Sequence, residues 1–504
     1  MKYGPSPALI AITLLLLAST GYSQESFELV LHGGRVMDPE SGLDGIYDVG
    51  IKDGKIVAMS EAALLADQTL DVSGLVVAPG FIDLHAHGQD NNSNSYQARD
   101  GVTTALDLES GAYPVEQYYD NRDGHAILNY GVSSGHIPAR INVSDGYSVG
   151  HGPTFEIYSP WYMKMLGAVW MFFAGAEGPG SSLKEKLDEA QVKQLQQNIE
   201  AGLEAGGIGV GFGLDYTPGS DDDEIRKVFE VAAKHHVPCF VHLKGVSSPT
   251  DMSSMETILE HAEATGAALH VLHVTSVGQA RTPRYLEMIE AARERGMDVT
   301  VEAYPYVAGS TSIESAFFDE GWQERLGISY GDLQWGETGE RLTAESFRKY
   351  REDGGLVIIY AISPEIVQQA MANPLVMIAS DGMPMLHGGE HPRGAGTFAR
   401  VLGYYSRESG VISLMDALGK MTIMPARRLE GFVPAMRHKG RIKVGADADI
   451  TVFNPSTVID RATFENSYQF SEGIEHVLVA GTFVVRDSEN VPDVYPGQAI
   501  RASK

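Results

Sequence analysis

The middle of the chain alternates short apolar, β-branched segments with amphipathic helical segments, and this alternation constrains the fold more than any other feature. Eight strand-like segments occupy residues 76–88, 101–111, 126–136, 208–216, 237–245, 268–276, 298–306 and 375–384. Helical periodicity lies between several of them, at residues 185–206, 222–236, 255–266, 283–296 and 364–373. Strands that alternate with helices form parallel sheets. Eight such units predict an α/β fold, a (β/α)₈ TIM-type barrel with its active site at the C-terminal strand ends.

A doubly wound parallel sheet is the alternative fold for the same alternation. Such sheets bind dinucleotides through a glycine-rich turn between a strand and a helix. Gly209, Gly211 and Gly213 lie inside the fourth strand-like segment and lack the spacing of that turn. The barrel is therefore the favoured fold.

Both ends of the chain read as short strands separated by turns. Residues 27–71 include a hairpin turn at Asp53, and residues 448–487 are similarly rich in β-branched residues. One small β-domain formed by both termini, from residues 24–75 and 428–504, would account for the two ends.

The catalytic barrel would then span residues 76–427. Two long inserts interrupt its alternation, near residues 137–184 and 307–362. Both would lie above the C-terminal face of the barrel, where connecting loops carry function, and would form pocket walls or a lid.

The N-terminus has the pattern of a secretory signal peptide over residues 1–23. Lys2 is followed by an apolar run at residues 8–18 that is too short to span a bilayer, and Gly21 and Ser23 suit a cleavage site. The mature chain would then be exported, to the periplasm or the medium, with no membrane association after cleavage. An uncleaved membrane anchor is the alternative.

The overall composition limits the partners of the chain. The net charge is −28 and the pI is near 4.9, which argues against nucleic acids and anionic lipids as partners. A small-molecule substrate is expected instead. The single cysteine, Cys239, excludes an intrachain disulfide and lies in an apolar stretch typical of a core. The sequence does not indicate an oligomeric state.

Side chains that bind metals recur at the predicted C-terminal strand ends. His85 and His87 are two residues apart, so on a strand both imidazoles face the same side and can chelate one metal ion. The other candidates at strand ends are Asp107, Glu109, His242, Lys244, His273, Glu302 and Asp381. Any one of them alone would more often be a rim residue or a helix cap. Because a barrel brings all strand ends together, the set predicts a metal centre.

We expect one metal to bind His85, His87 and Asp381, and a second to bind His242 and His273, with a carboxylate, best Glu109, bridging the two. Histidine and carboxylate ligands suit Zn²⁺ and related divalent metals, one or two per chain. Two adjacent metals lower the pKa of a shared water, which makes hydroxide available near neutral pH. Asp381 would accept the proton of that water and deliver it to the leaving group.

Several longer motifs carry a family resemblance that covers about residues 28–500. They are PGFIDLHAHG, GVTTALDLESG, GVGFGLDYTPG, EAYPYVAGST, IASDGMP, EHPRGAGTFARVLG, MTIMPARRL and GADADITVFNPSTVIDRATFE. The chain resembles the amidohydrolase superfamily and, within it, the N-acyl-D-amino-acid deacylase (D-aminoacylase) family. The resemblance implies a zinc-dependent hydrolase that removes the acyl group from N-acylated D-amino acids or related dipeptides. A cyclic-amide hydrolase of the hydantoinase or dihydroorotase type, on the same metal site, is the alternative.

The sequence departs from this family at two positions. The family often has a cysteine ligand after the second strand, where this chain has Glu109 and Ser110. It also often has a lysine just after the sixth-strand histidine, which is absent after His273. Lys244 would substitute for that lysine in substrate binding, or would bridge the metals as a carboxylated lysine. Glu109 is the preferred bridge.

Four further residues are expected to bind substrate. Arg393 matches the carboxylate-binding arginine of the family, and its planar guanidinium suits a bidentate contact with a carboxylate. A loop arginine paired with Glu390 is the alternative. Tyr216, Tyr304 and Tyr306 are candidates for polarising the scissile carbonyl or contacting the carboxylate, or else they pack.

A serine hydrolase is the alternative from another mechanistic class. Residues 146–150 read GYSVG and match the G-x-S-x-G nucleophile motif. That motif needs a helix after Ser148, whereas Pro153 follows closely in a segment without helical periodicity. The sequence therefore favours the metal centre.

Overall fold

The computed structural model describes residue 1 and residues 27–146, 181–245, 247–248, 250–386 and 389–503. Across these ranges, eight parallel strands pair in chain order into one sheet that is nearly closed as a barrel. The barrel strands are Phe81–Asp83, Val102–Ala112, Asn129–Gly135, Val210–Gly213, Cys239–His242, Leu269–Val271, Val299–Ala303 and Val376–Ile378. Each strand-like segment of the sequence supplies one of them, which confirms the predicted barrel.

The first and eighth barrel strands meet just beyond their C-terminal ends. Ala86 forms a parallel bridge with Gly382, and the Ser380 amide donates to Asp83 Oδ1 at 3.0 Å. The His87 amide donates to the Gly382 carbonyl at 2.9 Å. These bonds hold the chain after the first strand against the chain after the eighth.

Amphipathic helices surround the barrel. They are Asn91–Arg99, Val115–Arg122, His136–Asp145, Glu189–Glu204, Asp222–Lys234, Ser253–Thr265, Thr282–Glu294, Pro364–Ala372, Arg393–Arg400, Leu414–Met421 and Ile423–Leu429. The helix Glu189–Glu204 shows why such segments form helices on the sheet. Asp188 and Gln191 form a capping box that starts the helix. One face of the helix, which includes Leu195 and Ile199, is buried against the sheet. No helix in the described ranges is long and apolar enough to cross a membrane.

A second sheet combines both ends of the described chain. Its strands are Phe27–Asp38, Leu43–Lys52, Lys55–Ser60, Ala66–Asp71, Val76–Pro79, Ile450–Phe453, Ile474–Val479, Thr482–Arg486 and Glu489–Asn490. Val76–Pro79 lies between Phe27–Asp38 and Ile450–Phe453 and joins the N-terminal strands to the C-terminal ones. The small β-domain therefore contains strands from both termini.

The prediction that residues 76–88 form one barrel strand is wrong in its first half. Val76–Pro79 belongs to the composite sheet, and only Phe81–Asp83 belongs to the barrel. Gly80 lies between the two strands. A Cβ at this position would lie 2.2 Å from the Thr103 side chain. The close approach of Thr103 thus needs a glycine at the point where the chain passes from one sheet to the other.

The last residues contact the barrel rather than the composite sheet. The Ile500 amide donates to the Tyr130 carbonyl at 2.7 Å, and the Gly497 amide donates to the Ala126 carbonyl at 2.9 Å. The Tyr119 hydroxyl donates to the Ile500 carbonyl at 2.7 Å. The predicted domain boundaries stay a prediction.

The second insert forms a small antiparallel sheet of its own. Within the described residues it contains the strands Gly309–Ser312, Leu333–Trp335 and Leu356–Ile359, with the helix Ala344–Asp353 packed on them. Of the first insert, residues 147–180 lie outside the described ranges, and with them Ser148 of GYSVG. The predicted signal peptide also lies outside them, apart from residue 1.

Candidate metal centre

Four candidate ligands from three strands converge at the C-terminal end of the barrel. His85 Nε2 lies 2.6 Å from Glu109 Oε2, 3.2 Å from His87 Nε2 and 3.4 Å from Asp381 Oδ1. One ligand atom from each of these side chains lies within 4.8 Å of the other three. We call His85, His87, Glu109 and Asp381 the first donor group.

Glu109 also belongs to a second donor group with His242 and His273. Its Oε1 lies 2.8 Å from His242 Nδ1, and its Oε2 lies 3.6 Å from His273 Nε2. The candidate ligand atoms of this group again lie within 4.8 Å of one another. Because the two oxygens of Glu109 face both sets of histidines, this residue has the position expected of a bridge.

A bulge in the second barrel strand directs Glu109 toward the centre. The pairing of this strand with the third shifts register between Asp107 and Ala112, as at a β-bulge. Gly111 has φ +65°, and a Cβ on it would lie 2.6 Å from the Gly135 backbone. Glycine is therefore required where the strand bends beside the site.

Buried acidic or basic groups stand behind every histidine and aspartate of the first donor group. Glu302 Oε1 lies 2.7 Å from His85 Nδ1, and Asp107 Oδ2 lies 3.3 Å from His87 Nδ1. Arg393 Nη1 lies 2.9 Å from Asp381 Oδ2. A carboxylate behind a ligand histidine fixes its tautomer and ring orientation.

The histidines of the second donor group have fewer hydrogen-bond partners to orient them. His242 Nε2 is 3.9 Å from Asp215 Oδ2, which is beyond hydrogen-bond distance. His273 Nδ1 is buried without a hydrogen-bond partner among the residues that the structure describes. The two donor groups thus share Glu109 but differ in how firmly their histidines are held.

Two of the candidate ligands adopt left-handed backbone conformations. His273 has φ +28° and Asp381 has φ +51°. Such conformations are unfavourable for residues other than glycine and persist where the surrounding structure imposes them, often at functional sites. Both residues lie just beyond the C-terminal end of a barrel strand, where the chain bends beside the centre.

The two carboxylates of the centre remain ionised. Burial raises the pKa of Glu109, but the adjacent His242 and His85 outweigh burial and hold that pKa well below its ordinary value. Burial likewise raises the pKa of Asp381, while the Arg393 guanidinium and His85 lower it further than burial raises it. Imidazole nitrogens around anionic oxygens are the ligands that zinc and similar divalent metals take, so the donor set fits such an ion.

A cavity of about 260 Å³ opens onto both donor groups. Tyr216, Lys244 and Arg393 line it, as the sequence predicts for substrate-binding residues. The second insert forms an apolar part of its wall, with the side chains of Phe317, Leu326, Leu356, Ile359 and Ile362. The insert therefore contributes to the pocket, as expected for one of the two long inserts.

Tyr304 and Tyr306 do not line this cavity as the described residues form it. Tyr304 is fully buried beneath the Arg393 guanidinium, whose carbon lies 4.8 Å from the ring centre. Tyr306 packs against His391 at 5.2 Å between ring centres. The expectation that both contact substrate is not supported by their placement, because the barrel strand ends at Ala303 and the chain turns away.

Arg393 pairs with Asp381 rather than with Glu390, which instead accepts the Leu386 amide at 3.1 Å. The arginine is 2% exposed, and its Nε has no hydrogen-bond partner among the described residues. The guanidinium therefore lies between the cavity and the first donor group, and it can still donate further hydrogen bonds.

Lys244 belongs to neither donor group. Its Nζ donates to the Ser220 carbonyl at 3.0 Å, at the cavity wall. Since Glu109 spans both groups, the geometry gives no support to a carboxylated Lys244 as the bridge. A substrate-binding role for Lys244 stays a prediction.

The sequence assigns no role to the loop histidines His136, His151, His387 and His391, and the two that the structure describes contact groups outside the donor groups. His136 is buried 2.9 Å from Glu224, and His391 Nε2 lies 2.9 Å from the Ala308 carbonyl. His151 and His387 lie outside the described residues. His270, which no sequence pattern marks as part of the site because it lies an odd number of residues from His273, is also fully buried, and its Nε2 lies 3.0 Å from Glu302 Oε2.

A family model described as "Amidohydrolase family" matches residues 171–485. The chain belongs to this amidohydrolase family. The match spans more than half of the chain and includes the strand ends that carry His242, His273 and Asp381. The predicted family resemblance is thereby confirmed.

Two curated relatives are similar over nearly their whole length. The chain is 28% identical to N-acyl-D-glutamate deacylase of Alcaligenes xylosoxydans xylosoxydans, over 95% of this chain and 97% of the relative. It is also 28% identical to D-aminoacylase of the same organism, over 91% and 94%. Among solved structures, N-acyl-D-glutamate deacylase of Bordetella bronchiseptica, complexed with zinc and a phosphonate inhibitor, matches with a TM-score of 0.76. That match has 26% identity and covers 95% of this chain and 100% of the neighbour.

Proposed function

We propose that this amidohydrolase hydrolyses the amide bond of N-acyl-D-amino acids, using one or two zinc ions held by the two donor groups. The position of Glu109 carries the proposal, because its Oε2 faces His85 and His273 while its Oε1 faces His242. It is supported by the D-amino-acid deacylases to which the chain is similar. Related N-acylated amino acids and dipeptides ending in a D-residue share the same reacting group.

Zinc, when bound, would lower the pKa of a water molecule and polarise the scissile carbonyl. In the first donor group His85, His87, Glu109 and Asp381 would hold it, and in the second Glu109, His242 and His273. Other divalent metals suit the same donors. The identity of the metal is part of the proposal.

Asp381 is the residue best placed to move a proton. Arg393 holds Oδ2 at 2.9 Å, which leaves Oδ1 facing His85 and His87. Because its pKa is held low, Asp381 is ionised at neutral pH and can accept a proton from the attacking water. It would then deliver that proton to the leaving nitrogen.

The cavity would orient the substrate against this centre. Arg393 would bind the substrate carboxylate through its remaining donors while it orients Asp381. Tyr216, whose hydroxyl lies 3.0 Å from Thr311 Oγ1, and Lys244 would contact the other polar groups. The apolar wall of the second insert would enclose the acyl group or the side chain and exclude water from the reacting bond.

A substrate comparison tests this function. Zinc-loaded protein is assayed with N-acetyl-D-methionine, N-acetyl-D-glutamate, their L enantiomers and a 5-substituted hydantoin, before and after treatment with 1,10-phenanthroline. D-selective release of free amino acid that the chelator abolishes supports the proposal. Release from L-substrates alone would contradict it, and ring opening of the hydantoin alone would favour the cyclic-amide alternative.

A matched pair of variants tests the role of Arg393. Arg393→Lys keeps the charge but loses the planar fork, so KM for N-acetyl-D-amino acids should rise by about tenfold or more. Arg284→Lys, on an exposed helix face, serves as the control and should leave KM unchanged. An unchanged KM in Arg393→Lys would remove the arginine from substrate binding.

Export to the periplasm or the medium is the remaining part of the proposal. It is supported by the sequence pattern of residues 1–23. N-terminal sequencing of the protein from the periplasmic or culture fraction tests it. A mature N-terminus near residue 24 is expected, and an intact N-terminus in the cytoplasm would contradict it.

A further inference from the structure

Glu302 is buried behind the metal centre, on the side of His85 that faces away from the cavity. It lies on the seventh barrel strand, is 1% exposed and is not among the residues that line the cavity. We propose that Glu302 is a positioning residue that holds Nε2 of His85 toward the metal of the first donor group. The inference rests on the proposed metal centre, and its test does not depend on which substrate is cleaved.

The contacts of Glu302 account for both of its oxygens. Oε1 lies 2.7 Å from His85 Nδ1, and Oε2 lies 3.0 Å from His270 Nε2. Beyond His270, its Nδ1 lies 2.7 Å from Thr300 Oγ1. The four side chains form a continuous series from the partly exposed Thr300, through the buried His270 and Glu302, to the buried His85 of the first donor group.

This series determines which nitrogen of His85 faces the metal. An ionised carboxylate only accepts hydrogen bonds, so each ring nitrogen that faces Glu302 must donate to it. His85 then carries its proton on Nδ1, and the lone pair of Nε2 points toward Glu109 and Asp381. The Thr300 hydroxyl donates to His270 Nδ1 in turn, so that His270 presents Nε2–H to Glu302.

The arrangement is confined to the first donor group. His273 Nδ1 has no hydrogen-bond partner among the described residues, and the Nε2 of His242, on the side away from the shared Glu109, has its carboxylate neighbour Asp215 at 3.9 Å. A loss of the Glu302 carboxylate should therefore weaken one of two metal sites and spare the other. A general loss of stability would weaken both.

Zinc titration of the metal-free protein against a chromophoric chelator resolves the two binding steps. In Glu302→Gln, one neutral oxygen replaces the two charged acceptors, so zinc affinity at one step should fall by about 10–100-fold. The other step should stay within the error of the parent protein. Two unchanged steps, or two steps weakened alike, would overturn the inference.

Two companion variants keep the test decisive. Asp449→Asn alters another buried carboxylate, which precedes the composite-sheet strand Ile450–Phe453 and pairs with Lys439 at 2.6 Å, and it should destabilise the protein while leaving both zinc steps intact. Thr300→Val removes only the hydroxyl at the end of the series and should weaken the same step by a few-fold. If Glu302→Gln fails to fold, the zinc titration of Thr300→Val tests the inference instead. Unchanged zinc affinity at both binding steps of Thr300→Val would then overturn it.

The outcomes separate this inference from the proposed function. If the parent protein binds zinc in two steps but hydrolyses no N-acyl-D-amino acid, the proposed function fails and the zinc titrations still decide the role of Glu302. If the parent protein binds no zinc, the metal centre and the inference fail together.

Discussion

The two donor groups are built from the same kinds of residue at the same end of the barrel, yet their surroundings differ. In the first, Glu302, Asp107 and Arg393 lie within 3.3 Å of ligand side chains. In the second, His273 Nδ1 has no partner among the described residues, and Asp215 stands 3.9 Å from His242. Barrel topology brings donors together, but their orientation depends on neighbours that topology does not guarantee. We therefore expect the first donor group to bind zinc more tightly than the second.

Removing the carboxylate that the two donor groups share should impair zinc binding by both of them, with the largest effect of any change. Glu109→Gln replaces the anionic carboxylate between the donor groups with a neutral amide that has only one oxygen, so both zinc-binding steps should weaken and turnover should fall to that of the metal-free protein. Metal analysis after dialysis, together with a deacylase assay, measures both. Retention of two zinc ions with normal turnover would exclude Glu109 as the bridge.

Changing Asp381 should separate binding from chemistry in the first donor group. Asp381→Asn keeps an oxygen toward His85 and His87 but cannot accept a proton, so kcat should fall by about 10²–10⁴-fold. Zinc content should remain close to that of the parent protein. Unchanged kcat in the zinc-loaded variant would exclude Asp381 as the proton carrier.

A pair of aspartates tests the difference between the groups directly. Asp107→Asn removes the charge 3.3 Å from His87 Nδ1 and should lower the zinc affinity of the first donor group by about tenfold. Asp215→Asn changes a carboxylate that lies beyond hydrogen-bond distance of His242, so the zinc affinity of the second donor group should stay nearly unaltered. The comparison would be wrong if Asp215→Asn had the larger effect.

The last prediction concerns stability rather than zinc binding or turnover, and it involves the buried Asp83 carboxyl beneath the first donor group. Burial raises the pKa of Asp83 from 3.8 to about 6, against hydrogen bonds from Ser380 and His85 that lower it. The folded state thus binds the proton more tightly than the unfolded chain, so the free energy of unfolding falls as pH rises from about 4 to about 6, by on the order of 3 kcal/mol.

Asp83→Asn should remove this pH dependence. Asparagine keeps an oxygen for the two amides that Asp83 Oδ1 accepts and cannot ionise. Urea unfolding at several pH values should show a smaller decrease in stability between pH about 4 and about 7 than in the parent protein. Parallel pH profiles for the two proteins would contradict the assignment.

Much of the fold was predictable because the barrel repeats one local pattern. The helices expected at residues 222–236 and 283–296, for example, are observed at Asp222–Lys234 and Thr282–Glu294. The candidate ligands were identifiable for the same reason, since each lies at or near the C-terminal end of a strand. His85, His242 and Asp381 meet although up to roughly 300 residues separate them.

The remaining features depend on contacts that local sequence does not encode. Tyr304 and Tyr306 were candidates for substrate contact, but Pro305 cannot donate a sheet hydrogen bond and the strand ends at Ala303. The role of Glu302 itself depends on its approach to His85, across 217 residues of chain. The split of residues 76–88 between two sheets depends on pairing with Ile450–Phe453, which alternation alone cannot reveal.

Zinc add-back to the metal-free protein tests the central claim most directly. Turnover of N-acetyl-D-methionine and its L enantiomer is followed as zinc is added in steps, beside the Glu109→Gln variant. We predict that the parent protein gains D-selective hydrolysis with the first equivalents of zinc, while the variant stays inactive at the same concentrations. Equal hydrolysis without metal, or zinc-dependent turnover of the L enantiomer alone, would contradict the account.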